Sequence, residues 1–112
     1  MLRGEVYTLS LERSPSAEAA AARMVILLSS DALAVLPLRV IVPLIPWKDE
    51  FSATPWLVRI PPVLNSGIAQ VMAADALQVR SVSTARLKTR LGELPQRITD
   101  EVAAALTMLT SA

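Results

Sequence analysis

Residues 39–45 read Arg39-Val40-Ile41-Val42-Pro43-Leu44-Ile45, the run of this sequence that is richest in β-branched residues. Because β-branched and aliphatic side chains pack well on a pleated surface, this run predicts a central, buried strand. Pro43 has no N–H to donate to a neighbouring strand, so we expect a bulge or a strand end at this residue. The fold class then depends on which other runs of the chain can pair with it.

Short apolar runs occur on both sides of this central strand. The run 24–28 is continuously apolar, which is typical of a strand buried on both faces. The turn residues Leu64-Asn65-Ser66-Gly67 separate two further runs, and Gly92 closes the last of them. The polar and alanine-rich segment 13–22 predicts a loop. The predicted strands besides 39–45 are 6–11, 24–28, 56–60, 68–74 and 88–91.

The end of the chain has the pattern of a helix. Pro95 suits a first helical turn, and the apolar residues after it recur every three or four positions, which makes one face apolar. Short strands followed by one helix predict a mainly β fold, either a small barrel or a strongly bent sheet covered by the helix. At 112 residues the whole chain, 1–112, is predicted to form one domain. The helical stripe consists of Ile98, Val102, Leu106 and Leu109.

The composition excludes several kinds of chemistry. The chain has no cysteine and no histidine, so disulfides, Cys/His zinc sites and Ser-His-Asp triads are excluded. We therefore expect no metal and no cofactor. Hydrophobic residues make up 53% of the chain and aromatic residues only 4%, so the apolar content is mainly aliphatic. Such an excess in a small domain predicts that a second subunit covers part of it.

The mean hydropathy of +0.46 raises the question of a membrane segment. The longest stretch without charge, residues 60–74, is shorter than the roughly 20 apolar residues that a spanning helix needs. Residues 1–5 have neither the apolar core nor the cleavage site of a secretion signal. The sequence therefore predicts a cytoplasmic protein with no membrane partner.

The basic residues are unevenly distributed, although the net charge is only +1. Between residues 80 and 97 five basic residues accompany a single acid, Glu93. Two interpretations stay open: a solvated basic face, or a patch that contacts phosphates. The five residues are Arg80, Arg86, Lys88, Arg90 and Arg97.

Several short segments of the chain follow one another in a characteristic order. The chain opens with Arg3-Gly4-Glu5-Val6-Tyr7, and Glu18 lies in the following loop. The order continues through Arg23 to Ser30, Val40-Ile41-Val42-Pro43-Leu44, Val71-Met72-Ala73-Ala74-Asp75, Arg86-Leu87, Gly92, Leu94-Pro95 and the terminal helix. This order resembles that of the MazF/PemK family of toxins, whose first strand is similar to the opening, and the resemblance covers nearly the whole chain.

This resemblance implies an SH3-like barrel with a C-terminal helix, the plasmid-toxin fold of CcdB and MazF, working as a homodimer. It also implies a toxin of a bacterial toxin–antitoxin pair, and hence a metal-independent endoribonuclease that cleaves single-stranded RNA by attack of the 2′-OH. The disordered tail of a cognate antitoxin would then neutralise the protein by occupying the RNA groove.

Carried over by the resemblance, Glu18 corresponds to the loop glutamate of the family and Arg23 to the arginine at the start of its second strand. This reaction needs a base for the 2′-OH proton and a cation for the developing charge. We assign the first role to Glu18 and the second to Arg23, which keeps its proton at neutral pH. The alternatives are a solvated carboxylate at Glu18 and a salt bridge from Arg23 to Glu5 or Glu18. The expected RNA-binding residues are Arg13, Lys48, Asp75, Arg80 and Arg86.

Several positions depart from the family pattern. Ile45 stands where the family usually has Thr or Ser, and Ala73 where some members have Arg. The loop glycines of the family are replaced by residues 19–22, all alanine, and Arg-Pro becomes Arg23-Met24. The Gln-x-Arg pattern is expected at 76–78, which reads Ala-Leu-Gln. A second hypothesis is therefore a catalytically impaired dimeric module that binds RNA or antitoxin.

Aromatic residues cluster around the connection 46–55. Trp47, Phe51 and Trp56 are interpreted either as stacking platforms for RNA bases or as anchors of the connection, and we favour anchoring. A related branch of the fold poisons gyrase through an aromatic C-terminal tail. Residues 106–112 contain no aromatic residue, which counts against that function.

Overall fold

The computed structural model describes residues 1–10 and 23–111, so the predicted loop and the two candidate site residues within it, Arg13 and Glu18, lie outside the described residues. In the described parts, every paired strand is antiparallel to its neighbours. The elements are β1 (Glu5–Leu9), β2 (Arg23–Leu27), β3 (Leu38–Pro46), β4 (Leu57–Ile60), β5 (Met72–Asp75), β6 (Arg80–Ser83), β7 (Leu87–Glu93) and the helix α1 (Gln96–Thr110).

The seven strands form one sheet in the order β4-β5-β3-β2-β1-β7, and β6 pairs with the first half of β3. This arrangement confirms the predicted class, a mainly β fold with a C-terminal helix. Within residues 1–10 and 23–111 the sheet is bent but does not close, since β4 and β7 remain at opposite ends of the pairing order. Of the two architectures predicted, the bent sheet is therefore the one that forms.

The two faces of the sheet carry different hydrophobic clusters. On one face Val6, Ile26 and Val42 pack with Ile98 and Val102 of α1 in the larger hydrophobic core. The opposite face carries a second, smaller cluster. Because neighbouring side chains of a strand point to opposite faces, β2 contributes to both clusters, as its continuous apolar run predicts. The second cluster consists of Tyr7, Leu9, Val25, Leu27, Ile41, Val82 and Leu87.

The strand β3 continues through Pro43, so the prediction of a bulge or strand end there is wrong. Its register with β2 is regular from the pair Leu27–Ile41 to the pair Val25–Pro43, which is the last pair of that ladder. The opposite edge of β3 instead changes partner at this point: it pairs with β6 up to Ile41 and with β5 from Leu44 onward. Pro43 therefore lies at a change of neighbours rather than at an end.

Three further elements differ from the sequence predictions. The strand predicted over 68–74 begins only at Met72, although Ile68 is buried in the larger core. The strand β6 was not predicted. The strand β7 runs through Gly92 to Glu93 instead of ending before it.

Gly67 and Gly92 allow a turn to pack directly on β7. The turn 64–67 accepts a hydrogen bond from this strand, since the Glu93 N–H donates to the Asn65 carbonyl at 3.0 Å. Gly67 has a φ of 78°, which side-chain-bearing residues rarely adopt. A Cβ on Gly92 would overlap the backbone of Asn65 and Ser66. Glycine is therefore required at both positions, because the backbone of the turn lies directly against the backbone of β7.

A buried carboxylate holds the N-terminus against β7. Glu5 is 6% exposed and accepts hydrogen bonds from the Arg90 guanidinium and the Leu2 N–H. The N-terminal amine lies 3.5 Å from the same carboxylate. Burial alone would raise the pKa of Glu5, but the hydrogen bonds from Arg90 and Leu2 and the nearby positive charges hold it below its ordinary value of 4.5.

We expect Glu5→Gln to reduce the free energy of unfolding at pH 7 by about 1–3 kcal/mol, because it removes hydrogen bonds to a charged group. The folded-state pKa is lowered, so this stabilisation is complete above the ordinary pKa of Glu5 and is lost as pH falls through the folded-state value. Urea unfolding between pH 7 and pH 2 measures the effect. Glu101→Gln, which breaks only an exposed pair with Arg97, serves as control. A wild-type advantage that grows on acidification would contradict the prediction.

The segment 31–38 exposes a run of aliphatic residues that is nevertheless firmly held. Arg39 is 9% exposed and donates to the carbonyls of Leu36 and Leu38 at 2.8 and 2.7 Å. The Thr84 N–H donates to the Pro37 carbonyl at 3.0 Å. The large side chains on the outside of this segment, its apolar patch, are Leu33, Val35, Leu36 and Leu38.

Candidate functional site

A groove of about 240 Å³ lies on the sheet face that carries the smaller cluster. Its residues on β1, β2 and β3 all have odd numbers, as expected for side chains that share one face of adjacent strands in register. The remaining residues come from the end of β5, the following turn and the start of β6. The lining consists of Leu9, Arg23, Val25, Ile41, Pro43, Ile45, Asp75, Gln78 and Arg80.

The groove forms where β3 changes partner. The chain leaves β5 at Asp75 and enters β6 at Arg80, and residues 76–79 between them pair with no strand. A short 3-10 helix over Ala76–Gln78 spans this crossing. Side chains three residues apart nearly eclipse in such a helix, so Asp75 and Gln78 both reach the groove.

Two guanidinium groups line the groove. Arg23 pairs with Leu9 across β1 and β2, and Arg80 pairs with Ile41 across β6 and β3. Both arginines are exposed, and neither forms an ion pair with another residue of the described ranges. The groove therefore presents two cations that are accessible to an anionic ligand.

The floor of the groove is aliphatic. Leu9, Val25 and Ile41 are buried in the smaller cluster, and Pro43 and Ile45 are half-buried beside them. Such a floor contributes no hydrogen bonds and offers a dry surface for an apolar or planar group. The polar groups are therefore confined to the segments on either side.

Asp75 is the single carboxylate among these nine residues. It is half-buried, and its Oδ1 accepts a hydrogen bond from the Leu77 N–H at 3.2 Å, which caps the 3-10 helix. No ion pair joins it to another described residue.

The structure brings together three of the residues predicted for the site: Arg23, Asp75 and Arg80. Lys48 is exposed in the connection after β3 and does not line the groove. Arg86 does not line it either, because its Nε donates to the Ser10 carbonyl at 3.1 Å. Arg13 and Glu18 lie outside the described residues.

The basic residues between 80 and 97 do not form one patch. Arg90 binds Glu5 and lies 3.8 Å from Glu93, which explains why its pKa is raised: the hydrogen bond to Glu5 favours the charged form. Arg97 pairs with Glu101 on α1. Since Glu5 is engaged by Arg90, the alternative of an Arg23–Glu5 salt bridge is not what forms. Of these five basic residues, Arg80 alone reaches the groove.

Gln78 is a groove residue that the sequence prediction did not include. The sequence itself reads Gln78-Val79-Arg80, so a Gln-x-Arg pattern is present two residues later than the position expected for it. The structure places both polar residues of this pattern in the groove. Its spacing was the signal that could have identified Gln78.

The aromatic residues of the connection pack on one another. The rings of Trp47 and Phe51 meet edge to face, with centroids 5.8 Å apart and an interplanar angle of 89°. The backbone N–H of Trp47 donates to the Val71 carbonyl at 3.1 Å, and the backbone carbonyl of Trp56 accepts from the Ala76 N–H. The backbone hydrogen bonds attach the ends of the connection to residues 71 and 76, and the anchoring role of the aromatic side chains stays a prediction.

No group of three or more His, Cys, Asp or Glu side chains suited to a metal ion occurs within residues 1–10 and 23–111. In the same residues, no helix combines the length and the apolar character required to cross a bilayer.

These features define a small antiparallel-sheet domain with a helix on one face and a cationic groove with an aliphatic floor on the other. The sequence matches, over residues 2–110, the family model described as PemK-like, MazF-like toxin of type II toxin–antitoxin system. The chain therefore belongs to this family of toxins, and the resemblance inferred from the sequence is confirmed. No curated protein sequence matches the chain.

Solved structures of similar fold come from mycobacteria and Deinococcus radiodurans. A mycobacterial endoribonuclease in complex with its cognate antitoxin is 20% identical, with a TM-score of 0.74, over 96% of this chain and 92% of that one. MazF from D. radiodurans is 23% identical, with a TM-score of 0.73, over 100% and 97%. A MazE–MazF complex from the same organism is 25% identical, with a TM-score of 0.71, over 97% and 94%.

Proposed function

We propose that this protein is an endoribonuclease that binds single-stranded RNA in the groove and cleaves it without a metal ion. The observation that carries the proposal is the pair Arg23 and Arg80, two exposed guanidinium groups in one groove with no ion pair to the described residues. Guanidinium groups match phosphate oxygens in geometry and charge. Membership of a toxin family whose structural relatives include named endoribonucleases supports the same function.

In the proposed reaction the ribose 2′-oxygen attacks the adjacent 3′-phosphate, a base takes the 2′-OH proton, and the P–O5′ bond breaks to leave a 2′,3′-cyclic phosphate. The leaving 5′-oxygen takes up a proton from water. Arg23 binds the phosphate and stabilises the charge that develops on its oxygens. Glu18 is the proposed base. It precedes Arg23 by five residues, so the two Cα atoms are at most about 18 Å apart.

The other predicted residues bind RNA in this proposal. Arg80 and Asp75 contact it inside the groove, whereas Arg13, Lys48 and Arg86 contact the strand beyond it. The Nε of Arg86 is engaged by Ser10, so its terminal nitrogens are the groups available for a phosphate.

The test is cleavage of single-stranded RNAs of varied sequence by the purified protein in EDTA. We expect cleavage by the wild type and a loss of about 10²-fold or more in Glu18→Gln, since a positioned base contributes about 10²–10⁴-fold. Glu50→Gln, at an exposed position outside the groove lining, is the matched control and keeps full activity. A wild type that leaves every RNA intact defeats the proposed activity.

A second function is favoured by the aliphatic floor of the groove. Ile45 lines the groove where a hydroxyl residue is usual in the family, and Ala73, which pairs with it across β3 and β5, is fully buried. A groove with few hydrogen-bonding groups could hold RNA or antitoxin without turning over substrate. The alternative function is thus a dimeric binding module of the same family.

Ile45→Thr tests whether the missing hydroxyl limits activity. We expect it to raise RNA cleavage by about tenfold or more, because it places a hydroxyl on the groove floor where the side chain already faces the ligand. The Ile45→Val variant keeps the β-branched shape without the hydroxyl and serves as control. Cleavage rates under single-turnover conditions provide the measurement. Equal rates in wild type, Ile45→Val and Ile45→Thr would show that the missing hydroxyl does not limit activity.

The proposed oligomer is a homodimer that covers the apolar patch of Leu33, Val35, Leu36 and Leu38. Val35 is 91% exposed in the isolated chain, and exposed aliphatic runs of this kind are rare on monomers. Arg39 fixes the carbonyls of this segment, so little conformational freedom is left to lose on association.

Light scattering tests the dimer. The wild type is expected at twice the 12.0 kDa of one chain at micromolar concentration, and the double variant Val35→Asp/Leu36→Asp at the mass of one chain. The control Leu64→Asp, at a residue 86% exposed outside the patch, keeps the wild-type mass. A wild type that remains monomeric contradicts the proposed dimer.

The proposed protein partner is a cognate antitoxin whose disordered tail occupies the groove. A segment that alternates acidic and apolar residues matches two guanidinium groups above an aliphatic floor. Competition between such a segment and RNA, followed by fluorescence anisotropy, tests this partner: simultaneous binding of both ligands argues against a shared groove.

A further inference from the structure

The carboxylate of Asp75 is unexpected in a groove that binds only phosphates. It lines the same groove as Arg23 and Arg80, and it would repel any phosphate that these cations attract. A groove built for the RNA backbone alone is better served by an uncharged or basic residue at this position. Asp75 therefore points to a ligand group that donates hydrogen bonds.

Asp75 is not explained by neutralisation of the two arginines. No ion pair joins it to Arg23, to Arg80 or to any other residue that the structure describes. Its Oδ1 accepts from the Leu77 N–H at 3.2 Å, which fixes the carboxylate at the start of the crossing between β5 and β6. A carboxylate offers about four acceptor positions, so this cap leaves most of them available to a ligand.

The groove has the size and surfaces that suit a single nucleobase. Its volume of about 240 Å³ is below the roughly 300–1,000 Å³ of sites that enclose drug-sized molecules. The aliphatic floor can contact the flat face of a base, while Asp75 and Gln78 are available to its edge. The cations of the groove are available to the phosphates on either side.

We infer that Asp75 reads a guanine of the RNA by accepting hydrogen bonds from its N1–H and N2–H groups. The inference rests on the proposed function, in that it assumes single-stranded RNA in this groove. Bases of a single strand expose their Watson–Crick edges, which is where proteins read them.

Guanine follows from the chemistry of the four base edges. An ionised carboxylate only accepts hydrogen bonds, so it pairs best with two adjacent donors. Guanine alone has two adjacent donors, N1–H and the N2 amino group. In adenine and cytosine the amino group lies beside a ring nitrogen that accepts, and in uracil one N–H lies between two carbonyl oxygens. Each of these neighbours repels the second carboxylate oxygen.

The experiment measures the binding of short 2′-O-methyl oligouridines that carry one guanosine or one inosine at each position in turn. The 2′-O-methyl group prevents cleavage, and inosine differs from guanosine by the absence of the N2 amino group. For the wild type we expect the best guanosine oligomer to bind about tenfold or more tightly than its inosine counterpart, as for a lost hydrogen bond to a charged acceptor. In Asp75→Asn the ratio falls to within about threefold.

The choice of variant keeps the fold intact. Asparagine retains an oxygen that can accept from the Leu77 N–H, so the cap is preserved, and circular dichroism verifies folding. Asp49→Asn makes the same chemical change at an exposed residue outside the groove lining and is expected to keep the wild-type ratio.

The outcomes separate this inference from the proposed activity. Equal wild-type binding of guanosine and inosine oligomers, or an undiminished ratio in Asp75→Asn, overturns the inference even if RNA is cleaved. A guanosine preference that Asp75→Asn abolishes supports the inference even if no RNA is cleaved, in which case the activity proposal alone fails. Absence of binding to every oligomer overturns the inference.

Discussion

Arg23→Ala is expected to lower the rate of RNA cleavage by about 10²–10³-fold, with a smaller effect on RNA binding. Removal of one group that stabilises developing charge in a transition state typically has this effect. Arg23 lines the groove, is exposed and has no ion pair within the described residues, so its substitution leaves no buried partner uncompensated. Single-turnover cleavage gives the rate, and fluorescence anisotropy with a 2′-O-methyl RNA gives the binding.

Arg59→Ala is the matched control for this prediction. Arg59 is an exposed arginine of β4 that does not line the groove, so its removal changes the net charge equally. We expect cleavage by Arg59→Ala to stay within a few-fold of the wild type. Equal losses in the two variants would show that general electrostatic attraction, and not a role at the phosphate, accounts for the effect.

Gly92→Ala is expected to reduce the free energy of unfolding by about 3 kcal/mol or more, a large part of the roughly 5–15 kcal/mol of a typical domain. Alanine in a strand would ordinarily stabilise it relative to glycine. Here the added Cβ overlaps the backbone of Asn65 and Ser66. A flexible side chain could change its rotamer to avoid this overlap, but the backbone cannot. Urea unfolding followed by circular dichroism measures the change.

Thr89→Ala provides the comparison for this variant because Thr89 is an exposed residue of the same strand. Its effect is expected to stay within about 0.5 kcal/mol. If Gly92→Ala unfolds at the wild-type urea concentration, then the turn 64–67 is not packed on β7 as closely as described.

Most of the fold follows from local patterns in the sequence. The run 39–45 predicted the central strand β3, and the stripe that begins at Ile98 predicted α1. Such patterns failed where pairing is decided by distant residues. The strand β6 has four residues, of which Val82 alone is buried, so its sequence shows no alternation of apolar and polar residues that would predict a strand. It is a strand because it pairs with β3. Pro43 does not end β3, because the strand goes on to pair with β5 from Leu44 onward.

The candidate site was less predictable than the fold. Arg23 and Asp75 were identified through the family resemblance and Arg80 through the basic run 80–97, and the structure places all three in one groove. Residue types alone could not distinguish Arg80 from Arg86, since both follow turns in a basic region. The difference is tertiary: the Arg86 side chain donates to the carbonyl of Ser10, the residue after β1, whereas Arg80 faces the groove.

The crossing at residues 76–79 has a consequence for how this domain can diverge. Because these residues pair with no strand, substitutions there leave the ladders of β3 with β5 and β6 unbroken. The same residues determine how Asp75 and Gln78 are presented to the groove. Since Ala76 is fully buried and Val79 packs against the larger core, the exposed Gln78 is the position of this segment where a substitution can change the polar groups of the groove without disturbing the core.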